Sequence, residues 1–585
     1  MSQLLRAAIC FVMVSLGTPS AGQSPTAARE PLHQFFSAEW DWTMEQNPTW
    51  ASLLGDRRWN VRWDDVSLDA IHERERHQRQ ALETLSKIPR AELNAADRTS
   101  YDIFRYLYEV DVEGYQYQSY LIRTNTYDGI QTAQRLAESL RFETAQDYTD
   151  WIARLRAFPR YLDQNVELMR RGIERNVLLP KVIMRRIAAQ AERLATEPAE
   201  KSGFYKPFTK IPPAIPAADR ERLSREGLEA VATSVQPSYG RLAAFIGDAY
   251  LPAAYEQVGY WQTERGLDAY GYLARYYTTT KLSPAEIHEL GLKEVARIRA
   301  GMERILVEVG FKGSMPEFFD HLRTDPKFFH SEPDAYLEAT RALVKRIDPE
   351  LVKVLRTLPR LPYGVEPVPA ALAPDQPAGY ADPGAPDGSR PAYYYVNLYK
   401  PESRPKWEMM ALALHEAVPG HCLQVSLAQE ITDLPAFRRH AGFTAYVEGW
   451  ALYAESLGHE MGLYDDPYSR FGQLTYEMWR AVRLVIDTGI HAFKWDRDRA
   501  IRYFMDNAAK TELDVTNEVD RYISWPGQAL AYKVGELKIQ ELRRKAAQAR
   551  GERFDLREFH DVVLLSGAMP LEVLESRVNE WAGAR

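Results

Sequence analysis

The stretch "ALALHEAVPGHCLQ" (residues 411–424) decides how this chain is read. His415 stands directly before Glu416, the order found on zinc-binding helices, but His421 follows six residues after His415 instead of four. On a regular helix, residues four apart differ by roughly 40° and about 6 Å, so two imidazoles converge on one ion. Residues six apart differ by roughly 120° and diverge. An unbroken helix would therefore forbid a shared metal. Pro419 removes a helical hydrogen bond and clashes with the preceding turn, and Gly420 tolerates unusual backbone angles. The expectation is a helix that distorts at Pro419-Gly420 and swings His421 back toward His415. The competing reading is a satisfied core histidine followed by one that complements a helix C-terminus.

A distorted helix assigns the roles. His415 and His421 supply neutral nitrogens to one Zn²⁺, and Glu416 takes a proton from water activated at that ion. A catalytic zinc needs a third protein ligand. "FTAYVEGWALYAESLG" (443–458) is an apolar helix with two acids, Glu448 and Glu455, seven residues apart and so nearly on one face. Carboxylates in such surroundings are costly unless paired or metal-bound. Glu448 is read as the ligand and Glu455 as an outer carboxylate orienting a histidine, with the reverse assignment open.

Further along, "MWRAVRLVIDTGIHAF" (478–493) sets Arg483, Asp487 and His491 at four-residue steps on one apolar helix. His491 is a candidate oxyanion stabiliser, with Asp487 fixing its tautomer. Arg480 or Arg483 is a candidate grip for a substrate carboxylate. The alternative is a buried ion-pair network. "DRYISWPGQALAYKVGELK" (520–538) offers Tyr522 and Tyr532 as hydroxyl donors, a weak signal among 33 tyrosines.

Working outward, residues 31–360 read mostly as helices. "DAIHERERHQRQALETLSKI", "DYTDWIARLRAFPRYLDQNVELMRRGIERN" and "SPAEIHELGLKEVARIRAGMERILVEVG" carry apolar residues at three- and four-residue spacing. The last opens with a capping serine, Ser283, a proline at the first helical position and Glu286 three residues on. The Pro/Gly-rich segment 362–391 reads as a loop joining an N-terminal helical half (about 30–360) to a catalytic half (about 390–585). "AYYYVNLY" (392–399) is the strongest strand signal and reads as a substrate-binding edge beside the metal helix, with Asn397 a candidate substrate contact.

The 585 residues are 45% hydrophobic and 26% charged, an ordinary globular balance that allows a core large enough to enclose a deep cleft. A net charge of −8 with interspersed signs excludes a nucleic-acid footprint. "MSQLLRAAICFVMVSLGTPSAGQS" has a basic start, a short apolar run and small residues. It reads as a cleavable secretory signal over residues 1–22, and its run is too short to span a bilayer. The surroundings of Cys10 do not read as a lipoprotein site, and cleavage leaves Cys422 alone, without an internal disulfide. A periplasmic or secreted bacterial protein with no stable membrane span is expected.

"HEAVPGH", "VEGWALYAESLG", "RAVRLVIDTGIH" and "PGQALAYKVGE", with "PTWASLLGDRRWNVRWDD" (48–65), resemble the bacterial family catalogued as domain of unknown function 885. That family is similar to helical zinc metallopeptidases of the gluzincin type, the group of angiotensin-converting enzyme and the oligopeptidases. The resemblance implies a mainly helical single domain split by a deep central cleft, with a small edge strand near the metal helix. It implies zinc on His415, His421 and Glu448, with Glu416 as base, and points to His491 and to Tyr522 or Tyr532 around the reacting carbonyl. Hydrolysis of short peptides is the implied activity. The alternatives are a zinc amidase acting on another amide or a cell-wall peptide, and a non-catalytic helical binding protein.

Overall fold

A computed structural model describes residues 28–370, 373, 376–385, 388 and 390–584. The expected signal, residues 1–22 with Cys10, lies outside them. The fold is mainly helical with one three-stranded sheet. The three periodic segments form helices Leu68–Ser86, Ala145–Glu174 and Pro284–Glu308. Ser283 caps the last of these: its hydroxyl accepts from the Glu286 N–H at 3.3 Å, and the Ser283 N–H donates to the Glu286 carboxylate at 2.8 Å.

Helix Pro467–His491 is the spine of the molecule. Every residue from Arg480 to His491 is buried, as expected of a helix packed on all sides. It lies along helix Pro284–Glu308, where a β-carbon on Gly291 would press on Leu484 and Val485. Met478, Val482 and Val485 join one hydrophobic core with Trp151, Phe158 and Ile298. Tyr476 and Leu484 join a second core with Leu412, Trp450 and Leu530. Both cores draw on residues from before and after segment 362–391.

The sheet corrects one expectation. "AYYYVNLY" supplies strand β3 (Ala392–Val396), which lies in the middle and not at an edge. The segment read as a loop supplies both flanking strands, β1 (Tyr363–Pro367), parallel to β3, and β2 (Gly379–Asp382), antiparallel to it. An edge strand bonds on one side only, so it tolerates the glycine and proline that disqualify a central strand. Ala392, Tyr394 and Val396 of β3 point into the core. Among the described residues, no helix is long and apolar enough to cross a membrane.

Candidate metal centre

The helix carrying His415 runs from Met409 and stops at Glu416; the next begins at His421 and ends at Gln429. Residues 417–420 between them are non-helical, with Ala417 at φ −87°, ψ −107° and Gly420 at φ −75°, ψ −135°. The break is complete, and it begins two residues earlier than Pro419. Gly420 is required by proximity: a β-carbon there would fall on the carbonyl oxygens of Leu414 and His415. The Trp450 indole N–H donates to the Pro419 carbonyl at 2.8 Å and pins the break from the neighbouring helix. His415 thus lies in the last turn of one helix and His421 opens the next. Their ring centroids are 4.9 Å apart, with planes 88° to one another.

Glu448, on helix Thr444–Met461, completes the cluster. One ligand atom from each of His415, His421 and Glu448 lies within 4.8 Å of the other two. Glu448 Oε2 is 3.4 Å from His421 Nε2 and 3.7 Å from His415 Nε2. Tetrahedral zinc, with bonds of about 2.0–2.1 Å, separates neighbouring ligand atoms by about 3.4 Å, so the donor set and its spacing fit that ion. Glu455, two turns further along and fully buried, accepts from His415 Nδ1 at 2.8 Å, which leaves Nε2 facing Glu448. Arg480 Nη2 is 3.7 Å from the same Glu455 oxygen.

The electrostatics concentrate negative charge around the histidines. Burial works against protonation of His415, but Glu448 and Glu455 outweigh it and push its pKa up to about 9. Burial raises the Glu416 carboxyl above its ordinary range. Glu448 is also opposed by burial, yet its bonds to the two histidines hold it well below the carboxylate range.

His415, Glu416, His421 and Glu448 line a cavity of about 420 Å³ together with Tyr532, Arg480, Arg483 and Arg521, and Glu455 lies outside its lining. Its opposite wall is Pro377–Ala381, so the strand that faces the cavity is β2, not β3. A larger space of about 1130 Å³ adjoins it, sharing Leu412, Tyr476 and Glu518 as walls. Tyr532 reaches the site because helices Thr444–Met461 and Ala531–Arg550 cross with Gly449 against Gly535: a β-carbon on Gly449 would meet the Gly535 backbone at 2.6 Å.

Four candidates do not belong to this cavity. His491 is buried with both ring nitrogens committed, Nδ1 accepting from the Tyr260 N–H at 3.0 Å and Nε2 facing the Tyr522 carbonyl at 2.9 Å. Asp487 does not orient it: its carboxylate accepts from the Tyr270 hydroxyl at 2.6 Å and the Gly527 N–H at 3.0 Å. The Tyr522 hydroxyl, 1% exposed as a residue, accepts from Arg483 Nε at 2.9 Å and Trp479 Nε1 at 3.2 Å. Asn397 is buried behind β2, where its amide donates to the carbonyls of Ala373, Gln376 and Pro377. It shapes the cavity wall from behind. Conversely, Trp450, Glu518 and Arg521 contribute to the site although nothing in the sequence marks them. Each is a single residue within or near a motif, a signal too common to stand out.

The position of His491 has a measurable consequence. Burial holds its pKa down to about 4, against about 6.5 in an unfolded chain. Between those values the unfolded chain takes up the proton first, so stability present above pH 6.5 is lost as pH falls toward 4. The wild type is expected to lose about 3 kcal/mol more than His491→Asn over that window, read from urea midpoints at pH 6.5 and 4. Parallel pH curves would show that His491 is not buried neutral.

Residues 48–578 match the family described as "Bacterial protein of unknown function (DUF885)". A crystal structure from Colwellia psychrerythraea, described as a "putative lipoprotein", is similar at 28% identity with a TM-score of 0.89, over 95% of this chain and 100% of that one. A structure from Shewanella oneidensis, described as a "putative lipoprotein of unknown function", shares the fold at 17% identity with a TM-score of 0.74, over 93% and 99% of the two chains. No curated protein matches the chain in sequence.

Proposed function

Given that the chain belongs to the bacterial DUF885 family, we propose that it is a zinc-dependent hydrolase of peptide bonds in short peptides, of the helical gluzincin type. The observation that carries this reading is the convergence of His415, His421 and Glu448 beside the Glu416 carboxylate in one cavity. A zinc ion held there would polarise the scissile carbonyl and acidify water to a pKa of about 7. Glu416, next in sequence to His415, accepts the proton of the attacking water and passes it to the leaving amine nitrogen. The Tyr532 hydroxyl donates to the oxygen of the carbonyl under attack. Glu455 fixes the His415 tautomer. The β2 wall offers backbone groups to an extended peptide. An adjoining space of about 1130 Å³ is large enough for a short peptide.

The test is elemental analysis after zinc-supplemented purification, with a peptide-library digest read by mass spectrometry with and without chelator. One zinc per chain and chelator-sensitive cleavage are expected; absence of stoichiometric zinc overturns the reading. Within it, Glu455→Gln is expected to weaken zinc binding by about 10–100-fold, because it loosens the hold on His415. Competition against a chelating dye measures this, and wild-type affinity would remove Glu455 from the site.

We also place the protein outside the cytoplasm, on the signal-like N-terminus and on the lipoprotein descriptions of the similar structures. Fractionation of the native host tests this; a purely cytosolic pool refutes it.

A further inference from the structure

Beside the metal cluster, one wall of the cavity is built from guanidinium groups in excess of their partners. Arg480, Arg483 and Arg521 all line it. Arg480 is taken up by Glu455 at 3.7 Å, within the group that holds His415. Arg483 and Arg521 share a single carboxylate, Glu518, at 3.0 and 3.6 Å. Glu518 is held below the ordinary carboxyl range by these two arginines against the opposing effect of burial, so it is already fully charged and can neutralise only one of them.

The remaining hydrogen-bonding capacity is matched only in part: Arg521 Nη2 donates to Gln528 Oε1 at 2.8 Å and Arg483 Nε to the Tyr522 hydroxyl at 2.9 Å, but other N–H groups are left over. The Arg483 side chain is 5% exposed, and its Nη1 has no partner among the described residues; Arg521 Nε and Arg480 Nε are in the same condition. Aromatic rings hold the pair in place: Arg483 lies 4.3 Å from the Tyr532 ring centroid, and Arg521 lies 5.3 Å from that of Tyr127. A structural ion network would close its charges and its N–H groups; burying a donor without a partner is costly. A planar, fork-shaped cation that lines a cavity and keeps an unpartnered buried nitrogen matches a carboxylate.

We propose that Arg483 and Arg521 form a subsite for a carboxylate of the peptide substrate. It would be either the free α-carboxylate of a C-terminal residue or the side chain of an aspartate or glutamate. The subsite gains its use from the hydrolytic reading, on which the proposal rests. Arg483 lies three residues beyond Arg480, about 4.5 Å along the helix axis, and Arg480 touches the carboxylate that holds His415. An extended residue spans about 3.3–3.6 Å, so a substrate gripped at its C-terminus would present a bond near that end to Glu416. A free α-carboxylate would make the protein a carboxypeptidase or dipeptidyl carboxypeptidase, whereas a side-chain carboxylate would make it selective for acidic residues.

The experiment is calorimetric binding to zinc-loaded full-length Glu416→Gln, which slows turnover. The probes are acetyl-Ala-Ala-Ala, the same peptide as its C-terminal amide, and acetyl-Ala-Ala-Glu as its amide. At least about tenfold tighter binding of the free acid over the amide is expected, and Arg483→Gln should abolish that difference. Arg521→Gln should do the same if Arg483→Gln fails to fold. Tight binding of the glutamyl amide supports the side-chain form of the proposal. Equal binding of all three probes overturns it, even if the wild type hydrolyses peptides. Carboxylate-dependent binding without turnover by the wild type leaves the subsite standing and removes the hydrolytic reading.

Discussion

Glu416→Gln is expected to lower kcat for peptide hydrolysis by about 10³-fold or more while leaving zinc content and KM close to wild type. The carboxylate lines the same cavity as His415, His421 and Glu448 but is not one of the three groups whose ligand atoms converge. Glutamine has the same size, keeps a carbonyl oxygen, and cannot accept a proton. The substitution therefore removes proton transfer and leaves the metal donors in place. Elemental analysis and steady-state kinetics on the best peptide from the library digest measure both halves of the expectation. A variant that retains zinc and turns over at the wild-type rate would remove Glu416 from the mechanism, whatever the status of the metal.

The second large effect is expected at a residue with no side chain. In Gly420→Ala, the new β-carbon would overlap the carbonyl oxygens of His415 and Leu414. Neither can retreat freely, since both belong to the last turn of helix Met409–Glu416. Residues 417–420 must then move away from that helix, carrying His421 with them and pulling Pro419 off the Trp450 indole. Overpacking of this kind costs about 1–3 kcal/mol, and zinc affinity should fall by at least about 100-fold as the ligands lose their geometry. Thermal denaturation with and without zinc, paired with competition against a chelating dye, reads the two effects separately. His421→Ala is the control: it should lose zinc as fully with a smaller loss of metal-free stability, because it removes a ligand and leaves the break intact. Wild-type zinc affinity in Gly420→Ala would mean that the path through 417–420 does not set the ligand positions.

The helices were legible because their signals are local. Three- and four-residue spacing, the Ser283–Glu286 cap and the apolar frame around Glu448 are all contained in short windows. The convergence of His415, His421 and Glu448 was legible for a related reason: acids and histidines on apolar helices are rare enough to call for an explanation. The misreadings came where burial decided the matter. His491 and Asp487 stand at a cavity-like spacing along helix Pro467–His491, but a helix buried on all sides has no single face that spacing can identify. Tyr260 and Tyr270, which occupy those two groups, lie more than two hundred residues earlier in the chain. The sheet was misread because Pro and Gly signal loops in general, while edge strands tolerate both. Asn397 followed the strand to which it was attached, and so was assigned to a cavity that β2 occupies instead.

The crossing of Gly449 against Gly535 has a mechanical consequence. Backbone touches backbone there, with no side chain in between to shift rotamer. Glu448 is the immediate neighbour of one glycine, and Tyr532 stands three residues before the other. The two helices behave as a single jaw whose span was fixed when the chain folded. The opposite jaw, Pro377–Ala381, is held by hydrogen bonds to β3 and by the Asn397 amide, both of which can lengthen or be exchanged. Any change in the width of the cavity therefore falls on β2 and its flanking residues, while the side that carries Glu448 and Tyr532 keeps its span.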